Sequence, residues 1–254
     1  GWLIGQTWST FQDVVALPDS LDFVGTTEGT TFARQPMIRY TSGGFQIAVE
    51  QPEATITTPT GGRLLSGSDP LPDLAVRYNH KGDWGHLTVA GILRSINLES
   101  GNLGLIQDAN TLGYGLSLSG KLKVGEKDDF RFMATAGQGI GRYIGLNIVN
   151  DAAVDPDSQE LETIGTLSGF AAYRHVINEK VRSNIMLSYF SADNPQRLLG
   201  SGVTDQVWSL RGNIVYSPVP RLDFGIEYGY SERSLENSID GGQHRLQFSG
   251  KYTF

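Results

Sequence analysis

The chain has no cysteine and no apolar run near the roughly 20 residues that a spanning helix needs. Without cysteine there is no disulfide framework, which fits an envelope compartment but also many cytosolic proteins. Mean hydropathy is −0.21, a value that hides barrel strands, since each carries only about 10 alternating residues and averages out near neutral. The formal net charge of −7 argues against a nucleic-acid partner. The four histidines, His80, His86, His175 and His244, show no spacing of a metal pair on a strand face. No cofactor is expected. The chain opens on Gly1-Trp2 without Met, basic segment or apolar leader, which reads as a mature or partial chain.

What is present is alternation. From Arg245 to Phe254, Leu246, Phe248, Gly250, Tyr252 and Phe254 share one face, and Arg245, Gln247, Ser249, Lys251 and Thr253 the other. A strand with one apolar and one polar face separates two media. A last strand ending on Phe resembles the assembly signal of bacterial outer-membrane proteins.

About twelve such segments recur, from Trp2–Phe11 through Thr31–Thr41, Phe45–Gln51, Leu74–His80, Trp84–Leu98, Thr111–Val124, Asp129–Ile144, Thr163–Val176, Val181–Ala192, Val203–Tyr216 and Leu222–Arg233 to Gln243–Phe254. Short turns such as Ser42-Gly43-Gly44 alternate with long connections. These are Val14–Thr30, Pro52–Pro70, Leu98–Asn110, Asn147–Glu162, Asn194–Thr204 and Asn237–Gly242. Short turns on one rim and long loops on the other fit a barrel. The expectation is an all-β fold: a transmembrane antiparallel up-and-down β-barrel forming one domain over residues 1–254. A soluble sandwich or lipocalin-like barrel is the competing reading, and about a dozen apolar outer faces exceed the core it needs.

Parity sorts the side chains. Phe45, Ile47, Val49, Leu74, Val76, Tyr78, Leu116, Leu118, Ile185, Leu187, Leu210, Ile214, Phe224 and Ile226 are among those expected toward lipid. Arg39, Arg77, Arg94, Lys121, Arg131, Arg182, Arg211, Arg245 and Lys251 are expected to line the pore, with the acids Glu50, Asp223 and Glu227. On this count bases outnumber acids about threefold, a lumen that concentrates anions, and arginine forks suit carboxylates. Arg34 and Arg174 fall on the apolar parity, by a bulge-shifted register or a rim position. His175 and Tyr173 fall on the inward parity. Asp151, Asp155 and Asp157 lie in a connection expected to be solvated, since no calcium-loop spacing is present. Gly137-Gln138-Gly139-Ile140-Gly141 lacks the helix of a phosphate cradle and is expected to let a loop or solute approach the wall.

Several stretches resemble the DcaP-like porin family of Gram-negative bacteria. They are Gly1–Phe11, Ala16–Phe23, Arg34-Gln35-Pro36 with Ile38-Arg39-Tyr40, Arg182-Ser183 leading to Ala192-Asp193-Asn194, and Ser217–Tyr228. The resemblance runs over essentially the whole chain. It implies a homotrimeric outer-membrane channel for small anionic solutes, dicarboxylates in particular, in contact with outer-membrane lipid and lipopolysaccharide, and no enzyme. The family resembles sixteen-stranded barrels preceded by a helical segment, whereas about twelve strands and no helix are visible here. Two explanations stand: a part of a longer porin, or a shorter barrel closed by pairing Trp2–Phe11 with Gln243–Phe254. The alternative functions are a structural or adhesion barrel with a plugged lumen, which would need inward acids and bases in near balance, and an outer-membrane lipid hydrolase.

Overall fold

Alternation with period two becomes twelve long strands in one antiparallel sheet. The computed structural model describes residues 1–66, 70–100 and 108–254. In chain order the strands are β1 (Trp2–Trp8), β2 (Arg34–Ser42), β3 (Phe45–Glu50), β4 (Thr55–Thr57), β5 (Arg63–Leu65), β6 (Asp73–Gly82), β7 (Gly85–Leu98) and β8 (Ala109–Val124). They continue as β9 (Asp128–Gln138), β10 (Ala152–Asp155), β11 (Glu160–Thr163), β12 (Gly165–Val176), β13 (Val181–Asp193), β14 (Thr204–Val219), β15 (Leu222–Leu235) and β16 (Asp240–Tyr252). A four-residue helix, α1 (Gln196–Leu199), follows β13. No helix among the described residues is long and apolar enough to cross a membrane.

The large sheet runs β1-β2-β3-β6-β7-β8-β9-β12-β13-β14-β15-β16, each neighbour antiparallel. β1 and β16 are its two edges and do not pair with each other. The self-closing alternative is therefore corrected: β1 ends at Trp8, and the chain from Ser9 to Ala33 leaves the wall and crosses the inner face. A second sheet, β11-β10-β4-β5, is built from two of the long connections. The middle of the Leu98–Asn110 connection, residues 101–107, and residues 67–69 lie outside the described residues.

The outer face is the apolar one. Ile47, Val76, Val89, Leu116, Ile185, Leu210, Ile226 and Phe248 are exposed. The buried apolar side chains sit instead on the inner side. Phe11, Ile140, Tyr143, Ile144, Val149, Ile164 and Phe190 form one cluster, with Met133, Phe170 and Met186 in another. The inner face is thus not uniformly polar as parity led one to expect. It is a packed surface where each large side chain buried contributes about 1.5–3 kcal/mol.

β9 was expected to run to Ile144 but stops at Gln138. Gly139 adopts φ +65°, and a Cβ on Gly141 would lie 2.3 Å from the Val149 carbonyl oxygen. The glycines of this stretch turn the chain inward and let a loop approach the wall.

Candidate functional site: the inner face

Residues 9–33 lie across the inside of the sheet. Asp13 accepts hydrogen bonds from His86 Nε2 (2.8 Å) and Ser119 Oγ (3.0 Å). Burial pushes the Asp13 carboxyl up, but these bonds and the charges of His86 and Arg77 prevail and hold it below the usual carboxylate range. Arg131 then donates to the Leu17 carbonyl, and Arg182 pairs with Asp19 at 2.6 Å. The Leu21 amide donates to Glu227 at 2.9 Å, and Asp22 pairs with Arg245 at 2.5 Å. The chain turns back through a short 3-10 turn, Thr27–Gly29, where Ser188 and Ser209 donate to Glu28. A Cβ on Gly29 would lie 2.1 Å from the Gly169 carbonyl oxygen, so only glycine permits this seat against β12.

A second inward element is clamped by Arg94. Its side chain is fully buried and ion-paired to Asp73 (3.0 Å) and Asp151 (2.9 Å). It also donates to the carbonyls of Gly139 and Glu53. Tyr143, pushed well above the ordinary phenol value by burial and then by the Asp73 charge, stays protonated and donates to Asp73 at 2.6 Å. Arg142 lies over the Tyr143 ring, 5.6 Å from its centroid, and donates to Gln35 at 2.7 Å. Arg94, one residue of the wall, thereby ties down two long connections, through Glu53 of one and Gly139 and Asp151 of the other.

All twelve residues expected to line the pore stand on the inward parity. Most of the cations are neutralised there. Lys121 and Arg131 share Asp129, Arg182 holds Asp19 and Asp223, Arg211 lies near Asp22 and Glu28, and Arg245 holds Asp22. The expected threefold excess of inward bases is corrected. Asp13, Asp19, Asp22, Glu28, Asp73, Asp129 and Asp151 face inward as well, and acids and bases stand near balance. Four of these acids belong to a connection that carries no strand period.

The parity around β12 is also corrected. Arg174 is inward and pairs with Asp129 at 2.8 Å. Tyr173 and His175 are outward, both bonded to Asp128. The apolar residues Phe170 and Ala172 point inward here, so hydrophobicity misreports the face. Arg34 is outward, its guanidinium carbon 6.0 Å from the Trp8 ring centroid. The 147–162 connection is not solvated throughout: Asp151 is fully buried, and Asp155 is held by Arg197 at 2.6 Å. No His, Asp and Glu cluster able to hold a metal is present among the described residues.

The inward charges differ in how they are satisfied. Each inward carboxylate has protein donors: Glu50, for instance, accepts from the Thr10 amide (2.7 Å) and Gln35 (2.6 Å), and Glu227 from Leu21 and Asn213. One oxygen of Asp73, Oδ1, is buried without a partner, while Oδ2 is held by Arg94 and Tyr143. Among the described residues, Arg39, Arg77 and Lys251 have no ion pair. Two more such cations escaped the sequence reading. Arg63 and Arg233 line a cavity of about 370 Å³ at the long-loop mouth, with Asn150, Asn194 and Thr204, and none of its lining residues is acidic. Arg63 lies in a connection with no readable parity, and Arg233 at the last residue of an expected strand.

An antiparallel meander with an apolar outer band and inward loops defines an outer-membrane β-barrel protein. The chain belongs to the DcaP outer membrane protein family, which matches it over residues 1–254. Its fold is similar to that of the outer-membrane channel DcaP of Acinetobacter baumannii, at 20% identity and TM-score 0.83, covering 100% of this chain and 71% of that one. It is also similar to OmpT, an outer membrane protein of Vibrio cholerae, in its trimer form, at 12% identity and TM-score 0.57, covering 99% of this chain and 76% of that one. No curated protein matches the chain in sequence.

Proposed function

We propose that this chain forms the wall of a passive channel for small anionic solutes, dicarboxylates among them, and that it assembles as a trimer. The observation that carries this reading is the asymmetry of satisfaction on the inner face. Carboxylates there are held by protein donors, whereas Arg39, Arg77, Lys251, Arg63 and Arg233 face no carboxylate within ion-pair distance. Even with acids and bases near balance, a mobile anion meets free cations while a mobile cation meets occupied acids. The A. baumannii relative, described as a channel, supports conduction, and the trimer form of the V. cholerae neighbour supports the assembly. Nothing in the proposal requires bond making.

The test is reversal potential across a planar bilayer under a salt gradient, with succinate or chloride as the anion. A steady conductance whose reversal potential follows the anion supports the reading; a cation-following potential defeats it. A second reading is a scaffold barrel with a plugged lumen. The near balance of inward charges and the packing of residues 9–33 favour it. Trimers that insert into bilayers but pass no current would establish it.

A further inference from the structure

Four buried polar atoms without a partner belong to one patch of the wall. They are Arg39 Nε, Arg77 Nε, Gln46 Oε1 and Gln12 Nε2. The register explains their meeting. Arg39 on β2 stands opposite Ala48 on β3, Ala48 opposite Ala75 on β6, and Arg77 is two residues beyond Ala75, opposite Gln46. The buried alanines leave the space above them to the two guanidinium groups, whose charges repel, with Asp13 and Glu50 acting on Arg77 in the opposite sense. Arg77 donates to the Gln12 carbonyl at 2.7 Å, which places Gln12 at the same spot.

Two like charges with unmade hydrogen bonds are costly unless something else satisfies them. The nearby acids Asp13 and Glu50 attract Arg77 but form no ion pair with either arginine, and their own oxygens are engaged. Glu50 is taken by the Thr10 amide and Gln35, and Asp13 by His86, Ser119 and the Val15 amide. Three of the four unpartnered atoms are donors, so the patch lacks acceptors. An acceptor-only group that matches a planar fork is a carboxylate.

We propose that Arg39 and Arg77 form a docking site for a solute carboxylate on the wall near the short-turn rim, the periplasmic side of an outer-membrane barrel. The site deepens the anion-channel reading and rests on it for its role, but it binds whether or not current flows. Arg94, Arg131 and Arg182 contribute nothing to it, because their forks are already filled.

The test is succinate titration of the full chain folded in detergent micelles, followed by the Nε–Hε resonances of arginine. Arg39 and Arg77 are assigned through Arg39→Lys and Arg77→Lys. Saturable shifts at Arg39 and Arg77, with Arg94 unmoved, are expected. Equilibrium dialysis of labelled succinate should show affinity weakened about tenfold or more in Arg39→Gln/Arg77→Gln. The Lys pair should recover part of it, since charge remains but the fork is lost. Full affinity in the Gln pair, or shifts confined to Arg245, overturns the site. Binding at the pair beside a bilayer current without anion preference removes the channel reading and leaves the site. Anion-preferring current with unchanged succinate binding in the Gln pair removes the site and leaves the channel reading.

Discussion

At the scale of single residues, Arg94 is the side chain on which the inner face most depends. Replacing it with Met leaves Asp151 buried without a cation and Asp73 with only Arg142, 3.8 Å away, a loss of about 3–5 kcal/mol. Urea unfolding in lipid vesicles should read that loss, together with faster proteolysis between Gly139 and Thr163. The pair Asp155–Arg197 sets a pH dependence. Hydrogen bonds from Arg197 and then from the Asp157 amide hold the Asp155 carboxyl far below the ordinary carboxylate value. Its folded pKa is depressed, so its stabilisation is complete above the unfolded value of about 3.9 and is lost as pH falls below it. Hydrogen exchange around residues 155–162 should therefore quicken on acidification below about pH 4, and Arg197→Gln should flatten that response. At this scale the sequence was legible where a charged residue alternated with large apolar ones, as at Arg39, Arg77 and Arg211. It misled at Arg174 and His175, because Phe170 and Ala172 pack inward and invert the cue.

At the scale of elements, the strands were readable because each separates two media along its whole length. The segment 9–33 was not, since its residues are fixed one at a time by partners far off in sequence. Neither a period of two nor one of 3.6 survives that arrangement. Its acids nevertheless decide the inner charge. Changing Asp19 and Asp22 together to Asn should free Arg245, leave Arg182 with Asp223 alone and leave Arg211 with Glu28 alone. Anion over cation permeability in planar bilayers should then rise severalfold; an unchanged ratio would mean that this segment lies outside the ion path. The small sheet formed by β4, β5, β10 and β11 escaped notice for a related reason. Its strands are only three or four residues long, too short for alternation to register.

At the scale of the whole molecule, the outer band and the inner contacts divide the labour. Leu116, 68% exposed and outward, should tolerate no charge: Leu116→Arg costs about 2–4 kcal/mol if it sits near the bilayer midplane, measured by refolding into vesicles. The same substitution in detergent micelles should cost much less, because micelles deform around a charge. The sheet edges β1 and β16 carry rows of backbone groups that hydrocarbon cannot satisfy, at several kcal/mol each, so in a bilayer both rows must be hydrogen-bonded. The path of residues 9–33 also has a consequence in time. Leu21 meets Glu227 and Asp22 meets Arg245, partners more than 200 positions later. Contacts of such span form late, because loop closure must precede them. The stretch made well before its partners is thus among the last to settle, waiting exposed while the wall is zipped strand by strand, and its seating comes late in assembly.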